Sequence, residues 1–507
     1  MPKPNIQALS FPAPSGGWDT ASPPDQMPIN MAYQLRNLFP DDDGVTGRGG
    51  SILHCDTADA TSCYALITYS SPTAEELISA HESGAVYDVT TSTPATLATG
   101  YSSSEWSWVQ FSNSSGHYVI AANDSGSDVP WVYDGATITP IVVTGVTDTN
   151  LSRVCVYLQR VFFVERNTLS LWYAAAGAFQ GALTELDLSS YATKGGAITA
   201  LATWTRDNGT GGMDDMLVVV TTRGQLLVFN GIDPSVSTLW VLAGVFDVGL
   251  PVSGPNCLVR TGPDLILLGS DGYRPISDYL ALGRSAASES GLSRNISGAA
   301  KFLTSTYREE PGWCGIVVDN RAMMIINSPQ GDPGGAVRQQ AANLRKGAWC
   351  EFTGMTATTW GIRAGEPYFA AANGKIYRAL TGFGDGDNND EPIAFFYQSS
   401  FQAPTGGLAI CRSISISPVL DIVDADDLTG YPDISVGVSS NYGSVPAANA
   451  ISVEYAKWGE LSSNSQRIPE IAYTSFGRAF SVFFSWEGVG TIKVYNTRLI
   501  YEAGGRL

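Results

Sequence analysis

Histidine is nearly missing from this chain. Three histidines, His54, His81 and His117, serve 507 residues, and none stands at a metal-ligand spacing from another histidine or from a cysteine. A histidine-built metal centre is therefore not expected, although a nucleophile–histidine–acid set assembled in space stays open. Basic residues are also scarce: 29 Lys and Arg against 48 acids leave a net charge of −19. They form no cluster, which argues against a protein that grips a phosphate backbone. Seven cysteines (Cys55, Cys63, Cys155, Cys257, Cys314, Cys350, Cys411) include no C-x-x-C pair. The expectation is small buried hydrophobes in a chain folded in a reducing cytoplasm. The opening stretch MPKPNIQALSFPAPSGG has no apolar core of a secretory signal, and no apolar run approaches a membrane span.

Catalytic signatures are missing as well. There is no G-x-S-x-G elbow and no papain-type cysteine box. Asp214-Asp215 and Glu309-Glu310 are adjacent pairs. Neighbours on a strand point to opposite faces, whereas glycoside hydrolysis needs two carboxyls set across a sugar. The run DGDNNDE from Asp385 has the oxygen density of a calcium loop. The EF-hand positions for Gly and Glu hold Asp390 and Phe396 instead, so a solvated linker is the default. No cofactor is implied.

What is abundant is turn chemistry. Gly numbers 54 and Pro 27, with 10% aromatics, a composition of many turns and short strands. From about residue 60 one pattern recurs: a β-rich run, a turn, then a strand bearing an aromatic. The turns are Glu-Ser-Gly, Glu-Arg-Asn, Thr-Arg-Gly, Ser-Asp-Gly, Asp-Asn-Arg and Ala-Asn-Gly, which suit hairpins. The anchors are Tyr87, Tyr133, Trp172, Phe229, Tyr273, Met324 and Tyr377, spaced by 46, 39, 57, 44, 51 and 53 residues. That is the length of a four-stranded propeller blade. PTAEELISAHES has helix-forming residues, but the repeat makes it a strand. GGAVRQQAANLRKGAW is helical by composition, and its position makes it an insertion with a hairpin turn at Arg345-Lys346-Gly347. FGDGDNNDEP at 383–392 reads as a linker, and period-two alternation after it implies half-buried antiparallel strands. The expected fold is all-β: a β-propeller of about six or seven irregular blades over 51–385, plus a C-terminal β-sandwich-like domain over 393–507, preceded by an arm over 1–50.

The arm carries a resemblance. GGWDT…PPDQMPINMAYQLRNLFPDDDGVTGRGG resembles the start of the tail nozzle, or tail hub, proteins of short-tailed bacteriophages. The matching positions are Gly16, Gly17, Trp18, Asp19, Thr20, Met27, Pro28, Asn37, Phe39, Pro40, Arg48 and Gly49. Leu38 stands where an aromatic is common. WSWVQFSNSSGHYVIAAN, RVFFVERNTLSLWYAA, DDMLVVVTTRGQLLVFNGIDPS and GAWCEFTGMTATTW continue the likeness in order, most closely between 100 and 280.

The resemblance implies a non-enzymatic structural subunit of the virion tail, assembled in the host cytoplasm. Six copies would form a ring below the portal and its head-to-tail adaptor. The ring would extend the channel through which genomic DNA leaves, without binding it specifically. It would carry a tail fibre or tailspike, and a needle or tail-tip protein would be a further partner. On this reading the arm is an assembly strap, with Trp18, Met27 and Phe39 as its anchors, since Pro blocks helix formation there. The rival readings are a phage tail glycan depolymerase and a receptor-binding β-propeller.

Overall fold

The computed structural model describes residues 6–42, 44–207, 213–262, 264–281, 291–329, 337–404, 406, 410–424, 433–442, 451–454 and 471–503. Its hairpins turn where Gly and Asn permit a left-handed backbone. Five of the six expected turns end on such a residue: Gly84, Asn167, Gly224, Gly272 and Gly374 all have φ between 61° and 94°. In Asp-Asn-Arg the positive φ falls one residue later, on Ala322.

These hairpins build six discrete sheets. Blades 1 to 4 span the strands Cys63–Ser70 to Ala95–Ala98, Trp106–Asn113 to Ile138–Pro140, Leu151–Tyr157 to Thr184–Asp187, and Ile198–Asp207 to Trp240–Asp247. Blade 5 has three strands, from Leu258–Thr261 to Gly272–Pro275. Blade 6 joins three strands between Ala357 and Ala379 to Ser51–Asp56, which arrives from the N-terminal side and pairs antiparallel with Lys375–Ala379. That pairing closes the ring by joining its first and last segments. Between blades 5 and 6 lies a further sector of four strands, Cys314–Val318, Met323–Ser328, Arg338–Asn343 and Ala348–Phe352. The innermost strands touch in cyclic order through all seven positions.

The shared sector is not a separate sheet. It continues through Ala32–Arg36 into Ile393–Ser399, Phe480–Gly488, Asp433–Ser440 and Ile451–Glu454, making nine strands. A second sheet of seven strands centres on Gly490–Ala503 and Cys411–Asp424, and takes in the arm strands Ile6–Pro12, Leu38–Asp41 and Gly44–Gly47. Phe395, Tyr397, Val482 and Phe484 from the first sheet and Leu499, Ile492, Val45 and Phe11 from the second share one buried core. This is the β-sandwich-like part. The six-or-seven ambiguity in the sequence therefore has a physical basis, since one ring position belongs to two bodies.

Aromatics pack between blades. Phe162, Tyr157 and Phe229 from blades 3 and 4 bury against one another under Trp240, whose ring stacks on Phe162 and Phe229 at 6.2 and 5.6 Å. Each fully buried side chain of this size contributes on the order of 2–3 kcal/mol.

The helix-or-strand readings resolve as strands: Glu75–His81 and Arg338–Asn343, the latter followed by the turn at Arg345-Lys346-Gly347. Residues 334–336 lie outside the described ones. The helix Ser297–Thr306 has no sequence signal at its start: Ile296 caps it without a side-chain bond. Its Ala299 N–H instead donates to Thr20 Oγ1 of the arm at 3.1 Å.

One expectation is corrected. Residues 383–392 join the ring to the sandwich, as a linker would, but they are not a wholly solvated run. Asp385 is buried. Asn389 Nδ2 donates to Ser51 O and Thr381 O at 3.0 Å each, and also to Gly384 O. Asp385, Asp387 and Asn389 are engaged in internal hydrogen bonds, while Asn388, Asp390 and Glu391 stay exposed. Among the described residues no group of three or more His, Cys, Asp or Glu is placed to hold a metal.

Candidate functional site: an axial cavity and a buried clasp

The edges of the inner strands enclose a cavity of about 480 Å³ on the propeller axis, lined by Tyr64, Thr68, Trp108, Arg260, Ile316 and Ile362 among others. Arg260 donates through Nη2 to Thr203 O at 2.9 Å. A smaller adjoining pocket shares Tyr64 and adds Glu105 and Trp313. Burial pushes the Glu105 carboxyl up, Arg153 pulls it down, and Asp124 and Glu82 push it up again. Arg153 is itself held by Thr199 O at 3.2 Å, Ser152 O at 2.9 Å and Asp124 Oδ2 at 3.4 Å. The cavity can admit a small molecule. It cannot admit B-DNA, whose major groove alone is about 12 Å wide.

The scarce chemical side chains have local roles. His81 Nε2 lies 3.0 Å from Ser79 Oγ, but both side chains are fully buried, so no substrate reaches that pair. His54 Nε2 meets Val89 O at 2.9 Å. Burial lowers the pKa of both rings. His117 Nδ1 lies 2.8 Å from Ser112 Oγ across a hairpin. Asp215 Oδ1 accepts from Thr205 Oγ1 at 2.6 Å, while the side chain of Asp214 lies outside the described residues. All seven cysteines are buried free thiols, as the sequence led one to expect. Burial pushes Cys55 and Cys155 up to about 11, and Cys63, Cys257 and Cys314 up to about 12.

The arm is built into the fold. Trp18 donates its N–H to Trp349 O at 2.7 Å and packs against both large cores. Met27 is buried. The ring of Phe39 sits 6.5 Å from that of Phe352. So the three expected anchors all have contacts within their own chain. Gly17 has φ +85°, and a Cβ there would come within 2.6 Å of Trp349 N and O. Glycine is what lets the arm lie directly on the shared sector.

Two motif residues form the centre of a buried clasp. Arg48 donates to Asn37 Oδ1 at 2.9 Å, Gly49 O at 3.0 Å, Thr353 O at 2.7 Å and Asp385 Oδ1 at 2.9 Å, and pairs through Nη2 with Asp385 Oδ2. Asn37, with φ 55°, donates to Thr353 Oγ1 at 3.0 Å and Ala394 O at 2.8 Å. Ser51 Oγ adds a bond to Asp385 at 3.1 Å. Arm, ring closure, shared sector and C-terminal sheet thus meet at one satisfied polar network. Arg48 and Asn37 stand out in the sequence as motif matches, whereas their partner Asp385 does not. The available signal was a single arginine set between glycines, Gly47-Arg48-Gly49.

No protein-family model matches the chain, and no curated protein sequence does. Solved structures similar to it include the computationally designed Ika8 protein, at 12% identity and TM-score 0.39, covering 65% of this chain and 99% of that one. Another is the WD40 beta propeller domain of Doa1, at 10% identity and TM-score 0.41, covering 65% and 97%. A third is BBS1N in complex with ARL6DN, at 14% identity and TM-score 0.28, covering 41% and 62%. The sheet order of the chain itself carries the propeller assignment.

Proposed function

We propose that the chain is a structural subunit of a short-tailed bacteriophage tail nozzle, six copies forming a ring that extends the DNA-ejection channel below the head-to-tail adaptor. The observation that carries the reading is the ordered set of motifs from Gly16 to Gly49 and onward, which resembles that family. The network those motifs build supports it. Arg48 and Asn37 lock ring, arm and sandwich into one block, which suits a subunit that bears load during ejection. The axial cavity is too small for a duplex, so on this reading DNA passes between copies and not through one propeller. On this reading acids of a chain with net charge −19 face that passage, repel the phosphate backbone and favour passage over binding.

Light scattering and sedimentation of the purified chain, alone and mixed with its cognate adaptor, test the proposal. A six-copy particle in either condition is expected. A monomer or trimer in both, together with glycan cleavage or glycan affinity, replaces it by one of the rival readings.

A further inference from the structure

Most outer strands of the blades are short: four residues in blade 1, three in blade 2, four in blade 3. The outer strand of blade 5 faces the helix Ser297–Thr306. Short or covered edges are how sheets avoid pairing with other chains. Blade 4 differs. Its outer strand, Trp240–Asp247, has eight residues and alternates half-buried with exposed. Val241 is 57% exposed and Val245 38%, and the adjoining Ile232, Leu239, Val236 and Leu250 are 62%, 43%, 38% and 41% exposed. Six of the chain's exposed large hydrophobics thus crowd into one rim.

The rim holds no charge between Leu239 and Phe246. Asp247 closes one end and is paired with Lys194 Nζ at 2.8 Å. Asp233 closes the other and is paired with Arg160 at 3.1 Å. The edge contains neither Pro nor Lys. One bulge, with Ala243 as the extra residue between the partners of Val228 and Phe229, interrupts its register with the inner strand.

We propose that this rim docks a second copy of the same chain, the two outer strands lying antiparallel about a twofold axis at Ala243. The strip is self-complementary in that register. Val241 falls opposite Val245 of the other copy, Trp240 opposite Phe246, and Asp247 opposite Leu239, so no like charges meet. Chains of net charge −19 repel elsewhere, which leaves a neutral strip as the surface where two copies approach at least cost. Six apolar residues, each between 38% and 62% exposed, make a contiguous apolar rim of the kind that marks an interaction surface. The contact is isologous, whereas contacts that close a ring are heterologous. It is therefore separate from the nozzle proposal, and the two fail independently.

The test uses the full chain. Sedimentation velocity without adaptor measures its mass across concentrations, beside a Val241→Lys/Val245→Lys double variant. The double variant is expected to weaken the pairing at least about 100-fold, since like charges meet across the axis. An Ala243→Cys variant is expected to crosslink to itself under mild oxidation, because the seven native thiols are buried. The crosslink also reads the contact if the lysine variant fails to fold. A wild-type chain that stays monomeric at all concentrations, an assembly that the lysine pair leaves unchanged in a folded variant, or an Ala243→Cys chain that gives no crosslink, overturns the proposal.

Discussion

Replacing Arg48 by Met is the sharpest single perturbation of this fold. The side chain is fully enclosed, and Asp385 opposite it is 8% exposed. Removal strips donors from Asn37 Oδ1, Gly49 O, Thr353 O and both oxygens of Asp385. Ser51 Oγ and the Thr353 N–H still serve Asp385 Oδ1 and Asn37 Oδ1, so the loss is concentrated on the carboxylate. Breaking one side of a buried pair costs about 3–5 kcal/mol. At about 2–4 °C per kcal/mol for a unit of 150–250 residues, the sandwich transition should fall by about 6–20 °C. Arg48→Lys keeps the charge but not the fork, and should lose about 2 kcal/mol, the scale of one hydrogen bond to a charged group. Asp385→Leu alone leaves a buried guanidinium with three remaining acceptors and should cost a similar amount. The double variant Arg48→Met/Asp385→Leu should recover at least about 2 kcal/mol of the summed loss, because neither charge is then left unpaired. Urea unfolding followed by tryptophan fluorescence measures all four corners of the cycle. Single variants within about 1 kcal/mol of wild type, or strictly additive losses, would refute the clasp.

Other consequences are as direct. Gly17→Ala meets both a positive φ and the Trp349 backbone, and should cost at least about 2 kcal/mol, read as faster proteolysis of the arm. Native protein should show no fast-reacting thiol with a disulfide reagent, and seven after unfolding, because every cysteine is buried. His54 and His81 have folded pKa values depressed by burial. The unfolded chain therefore takes up protons, as pH falls below about 6.5, that the folded chain refuses. Stability should drop through that window, and a His54→Asn/His81→Asn variant, compared by thermal unfolding between pH 7 and pH 5, should flatten the drop.

Much of the ring was legible because local chemistry decides it. Six of the seven anchors, Tyr87, Tyr133, Trp172, Phe229, Tyr273 and Tyr377, fall on the third strand of a blade, and Met324 falls on the second strand of the shared sector. The turns could be read because positive φ selects Gly and Asn. What could not be read depends on distant partners. Asp385 is made structural by an arginine 337 residues away, so its Asp- and Asn-rich surroundings look like solvated loop. The helix Ser297–Thr306 is capped by Thr20, 279 residues off. The shared sector meets the arm strand at a single registered pair, Arg36 with Glu351, and nothing in the spacing of hydrophobes announces that a blade will run on into a sandwich.

The central proposal is that six copies of this chain close into a ring around a passage for DNA. Electron cryo-microscopy of the purified protein with its cognate adaptor tests it most directly. The account predicts a closed six-fold ring whose lumen clears a duplex and is walled by acidic side chains. A monomeric propeller beside an untouched adaptor, or a lumen lined by lysine and arginine with the acids outside, would contradict it.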